Sequence, residues 1–137
     1  MVDNGVSSET LDHVMDIVSK MSFKGGNQKE NVSTLEGKIV QDADRLDAMG
    51  AMGIARVMCY SGYVGRPIHD PAMKPRENLT LEEYRNGKDT AIMHFYEKLL
   101  KLKDTMNTSY ATKLAQGRHE FLKVYLDQFY QEWDAKR

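Results

Sequence analysis

Three aspartates, Asp42, Asp44 and Asp47, lie within six positions of "GKIVQDADRLDAMGAMGIAR", a segment with helical spacing of its apolar residues. On a helix, Asp44 and Asp47 are neighbouring carboxylates on a face that the apolar pattern predicts to be largely buried. Such groups repel each other and lose hydration unless a cation or a hydrogen-bond donor joins them. One interpretation is structural: an ion pair with Arg66 or Arg118, or a cap on another helix. The other is a divalent-metal site with one carboxylate as ligand and the second orienting a ligand or water.

Two glycines that follow the aspartates, and the four histidines, are further residues that could mark a site. Gly50 and Gly53 each cost about 1 kcal/mol in a helix interior relative to alanine. They therefore predict close approach of another helix or of a ligand. None of the four histidines shows metal-ligand spacing such as H-x-x-x-H. His94 could face a site, but its neighbours Met93 and Phe95 favour ordinary packing.

The elements that must position these residues are predicted to be helices. Apolar periodicity and capping residues place them at 8–21, 34–60, 81–86, 89–103 and 108–133. The caps are Ser7 or Ser8, the capping boxes Ser33–Glu36 and Thr80–Glu83, Asp89 or Thr90, and Thr108. Polar or proline-containing loops are expected at 22–31 and 61–79. No strand pattern is convincing, so the sequence predicts an all-α protein with a single domain over residues 1–137.

Two helices have predicted core faces. In the helix at 34–60 the face comprises Leu35, Ile39, Ala43, Leu46, Ile54 and Val57. In the helix at 108–133 the apolar stripe comprises Leu114, Phe121, Leu122, Tyr125 and Phe129.

Composition narrows the class of protein. The 137 residues are 41% hydrophobic and 28% charged, which is typical of a globular chain. A net charge of −1 and the lack of a basic stripe argue against nucleic-acid partners. No apolar run approaches the roughly 20 residues of a membrane span, and the start does not resemble a signal peptide. The single cysteine, Cys59, fits a reducing compartment and is expected to pack as a small hydrophobe. We therefore expect a cytoplasmic protein without membrane partners.

Four segments in order make the sequence resemble a known family. They are "EGKIVQDADRLDAMGAMGIARV", "GRPIHDP", "HFYEKLLKLKDTMNT" and "GRHEFLKVYLDQFYQEW". Together they resemble the C-terminal part of small bacterial HD-domain phosphohydrolases. The resemblance implies a helical bundle that holds a divalent metal through a His, an adjacent His-Asp pair and a more distant Asp. It also implies hydrolysis of phosphate esters, often those of nucleotides.

The resemblance assigns roles to two residues of this chain, and side-chain chemistry suggests two phosphate contacts. Asp44, directly before Arg45, matches the distant metal-binding aspartate, and Asp47 would be a catalytic group that orients or handles a proton. Arg66 or Lys38 would contact the phosphate, although Arg66 could instead pair with a carboxylate such as Asp47. Oxygen ligands mixed with histidine suit Mn²⁺, Mg²⁺ or Fe²⁺.

The chain also departs from the family pattern. In the family, the first His and the His-Asp pair precede the segment with which this chain begins. His69 and Asp70 do not replace them, because they stand before Pro71, which disfavours helix. The resemblance therefore predicts an N-terminally truncated phosphohydrolase, incomplete or inactive by itself. The alternatives are a non-catalytic interaction or remnant protein, and a site completed by another chain. Because lost helices would uncover apolar faces, we also expect a homo-oligomer.

Overall fold

The computed structural model describes residues 5–21, 32–77, 82 and 87–136, and all regular structure within these ranges is helical. The helices are α1 (Ser8–Met21), α2 (Leu35–Asp47), α3 (Gly50–Tyr63), α4 (Ala91–Glu97) and α5 (Ser109–Trp133), with a 3₁₀ segment at Leu99–Thr105. The all-α prediction is confirmed. The predicted capping box Thr80–Glu83, nearly all of the helix at 81–86 and the loop at 22–31 lie outside the described residues.

Side-chain caps fix several helix starts where the sequence predicted them. The Ser7 hydroxyl accepts a bond from the Thr10 amide at 3.2 Å, and α1 has the predicted bounds. Thr90 caps α4 through the Met93 amide at 3.1 Å, and Thr108 caps α5 through the Ala111 amide at 3.2 Å. The predicted helix at 89–103 is α-helical only to Glu97, after which the chain tightens into the 3₁₀ segment.

The predicted continuous helix at 34–60 is wrong, because the chain breaks between Asp47 and Gly50. Gly50 has φ +67°, a left-handed conformation that favours glycine. A Cβ atom on Gly53 would lie 2.3 Å from the Ala48 carbonyl oxygen. Both glycines therefore serve this turn, and Gly50 also approaches α5, where an added Cβ would lie 3.1 Å from Arg118 Cγ.

The cap of α2 is also one residue later than predicted. Thr34, not Ser33, accepts the hydrogen bond from the Gly37 amide, at 3.2 Å. The helix consequently begins at Leu35.

The core lies between α3, α4, the 3₁₀ segment and α5. Its buried members are Met49, Ile54, Ile92, Phe95, Leu99, Leu102, Ala115, Leu122 and Leu126. The face predicted for the helix at 34–60 is wrong for Leu35 and Ile39, which are 63% and 53% exposed. The reason is the break after Asp47, because two separate helices need not turn the same face toward the core. The prediction is right for Ile54, which is buried in the core, and for Leu46 and Val57, which pack against the core.

Two further expectations about apolar residues are corrected. The predicted stripe on α5 is right for Leu122, which is buried, and for Tyr125 and Phe129, which pack against the core. It is wrong for Leu114 and Phe121, which are exposed. Cys59 is exposed rather than packed. Within the described ranges, no helix combines the length and apolar character needed to cross a bilayer.

Candidate functional site

Asp42, the first of the three aspartates, has a structural role. It is only 3% exposed, and its carboxylate accepts four hydrogen bonds from the start of α5. The donors are the Asn107 amide (2.8 Å) and Nδ2 (3.0 Å), and the Thr108 amide (2.9 Å) and hydroxyl (2.8 Å). A carboxylate here satisfies amides that have no partner in the helix and complements its dipole. The predicted helix cap exists, but Asp42 provides it.

Asp44 and Asp47 are both exposed, so the prediction that they lie on a buried face is wrong. Asp47 forms an ion pair with Arg56 of α3, not with Arg66 or Arg118. Asp44 lies close enough to Lys98 for its charge to act on that ammonium group. Burial lowers the pKa of Lys98, Asp44 raises it and Arg56 lowers it, with a net downward shift. The exposed carboxylates therefore adjoin a group of cations.

Arg66 is oriented by a partly buried ion pair. Its Nε lies 2.9 Å from Oδ1 of Asp89, and its guanidinium carbon lies 5.6 Å from the ring centroid of Tyr60. Burial raises the pKa of Asp89, and Arg66 counteracts part of that rise. The predicted partner Asp47 is thus replaced by a residue 23 positions along the chain from Arg66.

A cavity of about 410 Å³ brings these groups together between α3, α4 and the loop that carries Arg66. Its charged lining residues are Arg56, Arg66, Lys98 and Asp89, so cations outnumber carboxylates. Ala48, Gly53, Val57, Tyr60, His94 and Leu99 complete the lining. A concave site with several cations is suited to an anionic ligand such as a phosphate group. Of the two residues predicted to contact phosphate, Arg66 lines this cavity and Lys38 does not.

His94 is a cavity residue that sequence reasoning assigned to ordinary packing. Burial lowers the pKa of His94 to about 4, and the nearby charges of Lys98 and Arg66 act in the same direction. The imidazole is therefore neutral at pH 7, when it can donate one hydrogen bond and accept another. Lys98 directly follows α4, four residues after His94, and this spacing was the available signal in the sequence.

The loop that carries Arg66 is anchored to α4 and α5. The carbonyls of Pro67 and Ile68 accept hydrogen bonds from the amides of Ala91 and Ile92, each at 3.0 Å. His69 packs edge-on against three rings near the end of α5, those of Phe129, Tyr130 and Trp133. His69 and Asp70 thus lie in a loop, as predicted, and the histidine helps to fix that loop.

Arg76 and Glu97 make a second anchor for the same loop. Arg76 Nε and Nη2 donate to the two carboxylate oxygens of Glu97 at 2.9 and 3.0 Å, and the Arg76 amide donates at 3.0 Å. The Glu97 side chain is fully buried. The paired charges hold the loop against the helix that carries His94.

Among residues 5–21, 32–77, 82 and 87–136, no group of three or more His, Cys, Asp or Glu side chains is placed to hold a metal ion. The metal-ligand role of Asp44 and the catalytic role of Asp47 remain predictions. The cavity and the two exposed aspartates together form the candidate site.

The helical arrangement defines an all-α bundle similar to that of HD-type hydrolases. One similar structure is that of an HD-superfamily hydrolase from Bacillus thuringiensis, with 43% identity and a TM-score of 0.68, covering 97% of this chain and 58% of that one. A Lactobacillus plantarum protein has 48% identity and a TM-score of 0.89, covering 96% and 62%. No model of a known protein family matches the chain.

A curated relative is YpgQ of Bacillus subtilis, 41% identical over 126 residues. The match covers 90% of this chain and 53% of YpgQ, so the chain spans about half the length of that relative. The crystal structure of YpgQ in complex with ADP is 37% identical, with a TM-score of 0.70, and the match covers 96% of this chain and 56% of that one.

Proposed function

We propose that this chain forms the phosphate-binding part of an HD-type phosphohydrolase that acts on a nucleotide or another phosphate ester. The observation that carries the proposal is the cavity in which Arg56, Arg66 and Lys98 converge beside Asp44. The likeness to an HD-superfamily hydrolase and to a structure of YpgQ with ADP supports the reaction class and the ligand class.

The cavity residues suit the binding of a phosphate group. Asp89 engages Arg66 through Nε, and the terminal guanidinium nitrogens would bind phosphate oxygens in a fixed orientation. Lys98 would supply a point charge to the same group. Neutral His94 would add a directional hydrogen bond. Arg56 would move from Asp47 toward the ligand, which leaves Asp47 to act on a water or a proton, as the family resemblance implies.

HD-superfamily hydrolases generally use divalent metals, and oxygen ligands mixed with histidine suit Mn²⁺, Mg²⁺ or Fe²⁺. Asp44 is the proposed ligand, but the described residues alone do not form a metal-binding group. A complete site would need the family's first His and His-Asp pair from a further segment or another chain. We therefore expect the 137-residue chain by itself to bind phosphate compounds, hold metal weakly and hydrolyse nucleotides slowly or not at all.

Calorimetric titration with ADP tests the phosphate cavity. Arg66→Ala should weaken binding by about 10- to 100-fold, since a hydrogen bond to a charged group contributes about 1.5–3 kcal/mol. Lys101→Ala is the matched control, because Lys101 is exposed on the adjoining 3₁₀ segment and does not line the cavity. Equal ADP affinity of the Arg66→Ala variant and the wild type would remove the basis for the proposal.

A chimera tests the reaction. The portion of the Lactobacillus plantarum relative that this chain does not match would be joined to these 137 residues. We expect Mn²⁺-dependent nucleotide hydrolysis that Asp44→Ala abolishes. A folded chimera that binds Mn²⁺ and ADP without hydrolysis would favour the non-catalytic alternative. Rapid hydrolysis by the short chain alone, unaffected by Asp44→Ala, would contradict both the ligand assignment and the incomplete site.

A further inference from the structure

Helix α5 carries a second apolar surface that does not face the core. Tyr110, Leu114, Phe121 and Val124 are 73%, 38%, 49% and 65% exposed, and with Gly117 they form what we call the outer stripe. Successive members are separated by four, three, four and three residues. This average spacing of 3.5 is the pattern of a helix that packs along another helix. At 100° per residue the stripe lies about 120° around α5 from the core-facing residues.

Gly117 gives the outer stripe a gap at its centre. A Cβ atom there would meet no other atom within 4 Å, so packing within the described structure does not require glycine. Glycine also weakens a helix interior relative to alanine. Its presence is explained if a bulky side chain from a facing helix fills the gap.

We propose that the outer stripes of two copies of this chain pair in antiparallel orientation to form a homodimer. A two-fold axis near residue 119 places Phe121 of each copy opposite Gly117 of the other. The same register places Leu114 opposite Val124 of the second copy. A two-fold interface needs a surface that is complementary to itself, and this register matches the bulky Phe121 ring with Gly117, which has no side chain.

The charges beside the outer stripe agree with this register. Lys113, Glu120 and Asp127 lie seven residues apart along its solvent-facing flank, and all three are exposed. In the antiparallel arrangement, Lys113 of each copy faces Asp127 of the other, which gives two opposite-charge pairs. Glu120 approaches its own counterpart near the axis, but Lys123 of the same helix lies 3.1 Å from its carboxylate.

The proposal is independent of the phosphate cavity, because no α5 residue lines that cavity. A dimer could therefore form whether or not the chain takes part in hydrolysis. ADP binding by the monomeric variants described below should equal that of the wild type.

A size-exchange experiment tests the pairing. By light scattering after size-exclusion chromatography, the wild type should show twice the 15.7 kDa chain mass at tens of micromolar. Gly117→Phe and Phe121→Gly should each raise the dimer dissociation constant by about 10-fold or more. The double variant restores one Phe opposite one Gly at each position and should recover most of the affinity. Circular dichroism checks that every variant keeps its helix content.

Cross-linking tests the register directly in a Cys59→Ser background. Leu114→Cys with Val124→Cys should form disulfide-linked dimers, because these positions face each other across the axis. Leu114→Cys alone should not cross-link, since its two copies would lie about 15 Å apart along the helices. A monomeric wild type, a double size exchange without recovery, or efficient cross-linking by Leu114→Cys alone would each overturn the proposal.

Discussion

Removal of the Asp42 carboxylate should destabilise the fold by more than any change at Asp44. Asp42 is buried in α2 and accepts four hydrogen bonds from Asn107 and Thr108 at the start of α5. Asp42→Ala deletes all four acceptor contacts. Asp44→Ala is the matched control, because Asp44 lies on the same helix, carries the same charge and is exposed.

The size of the effect depends on which donors water can reach. Asn107 is exposed, so water can replace much of what its two bonds contribute. Thr108 is partly buried, and its amide and hydroxyl have less access to water. Hydrogen bonds to a charged group contribute about 1.5–3 kcal/mol each, so we expect a total loss of about 3 kcal/mol. That is a large part of the roughly 5–15 kcal/mol by which a domain is stable.

Urea unfolding followed by circular dichroism measures this loss. At a slope of about 2 kcal/mol per molar urea, Asp42→Ala should lower the midpoint by about 1.5 M. Asp42→Asn keeps one carbonyl oxygen as acceptor and should lose about half as much. The control Asp44→Ala should stay within about 0.5 kcal/mol of the wild type. If Asp42→Ala and Asp44→Ala cost the same, the capping role derived from the four contacts is wrong.

Three other predictions concern single residues. Gly53→Ala should destabilise the chain by about 1–3 kcal/mol in urea unfolding, because its Cβ would meet the Ala48 carbonyl; a more stable variant would show that the turn relaxes at little cost. Burial raises the pKa of Glu97, but the hydrogen bonds and charge of Arg76 outweigh this and lower it below 4.5. The ion pair should thus stabilise the fold above pH 4.5 and lose its effect as the pH falls through the folded-state pKa. Unfolding at several pH values should show this loss in the wild type and not in Glu97→Gln. Exposed Cys59 should react with a thiol reagent without denaturant, and a reaction that requires unfolding would contradict its placement.

Local signals in the sequence were sufficient for the fold class and for several helix boundaries. The hydroxyls of Ser7, Thr90 and Thr108 cap helices through amides three residues away, so both partners lie in one short segment. Apolar periodicity likewise reflects the geometry of a single helix. These features require no knowledge of what packs against the helix.

The sequence contains only part of the information needed to predict the break after Asp47. Gly50 and Gly53 are costly in a helix interior, but close packing and a turn both explain a glycine. Gly50 has a left-handed conformation, and the Ala48 carbonyl lies close to Gly53. These two observations show that the glycines are required by a turn. The face predicted across 34–60 failed at Leu35 and Ile39 for this reason, since a break changes the rotational phase of one helix relative to the next.

Which group each charged side chain contacts is determined only by the tertiary structure. The sequence presented Asp42, Asp44 and Asp47 as one acidic group, whereas packing buries the first against α5 and leaves the other two beside the cations. Arg66 pairs with Asp89, and the cavity is lined by His94 of α4 and by Lys98, which directly follows α4. Residue type and spacing limit which pairs can form, but the choice among them depends on which groups the core brings into contact and how much water it excludes from them.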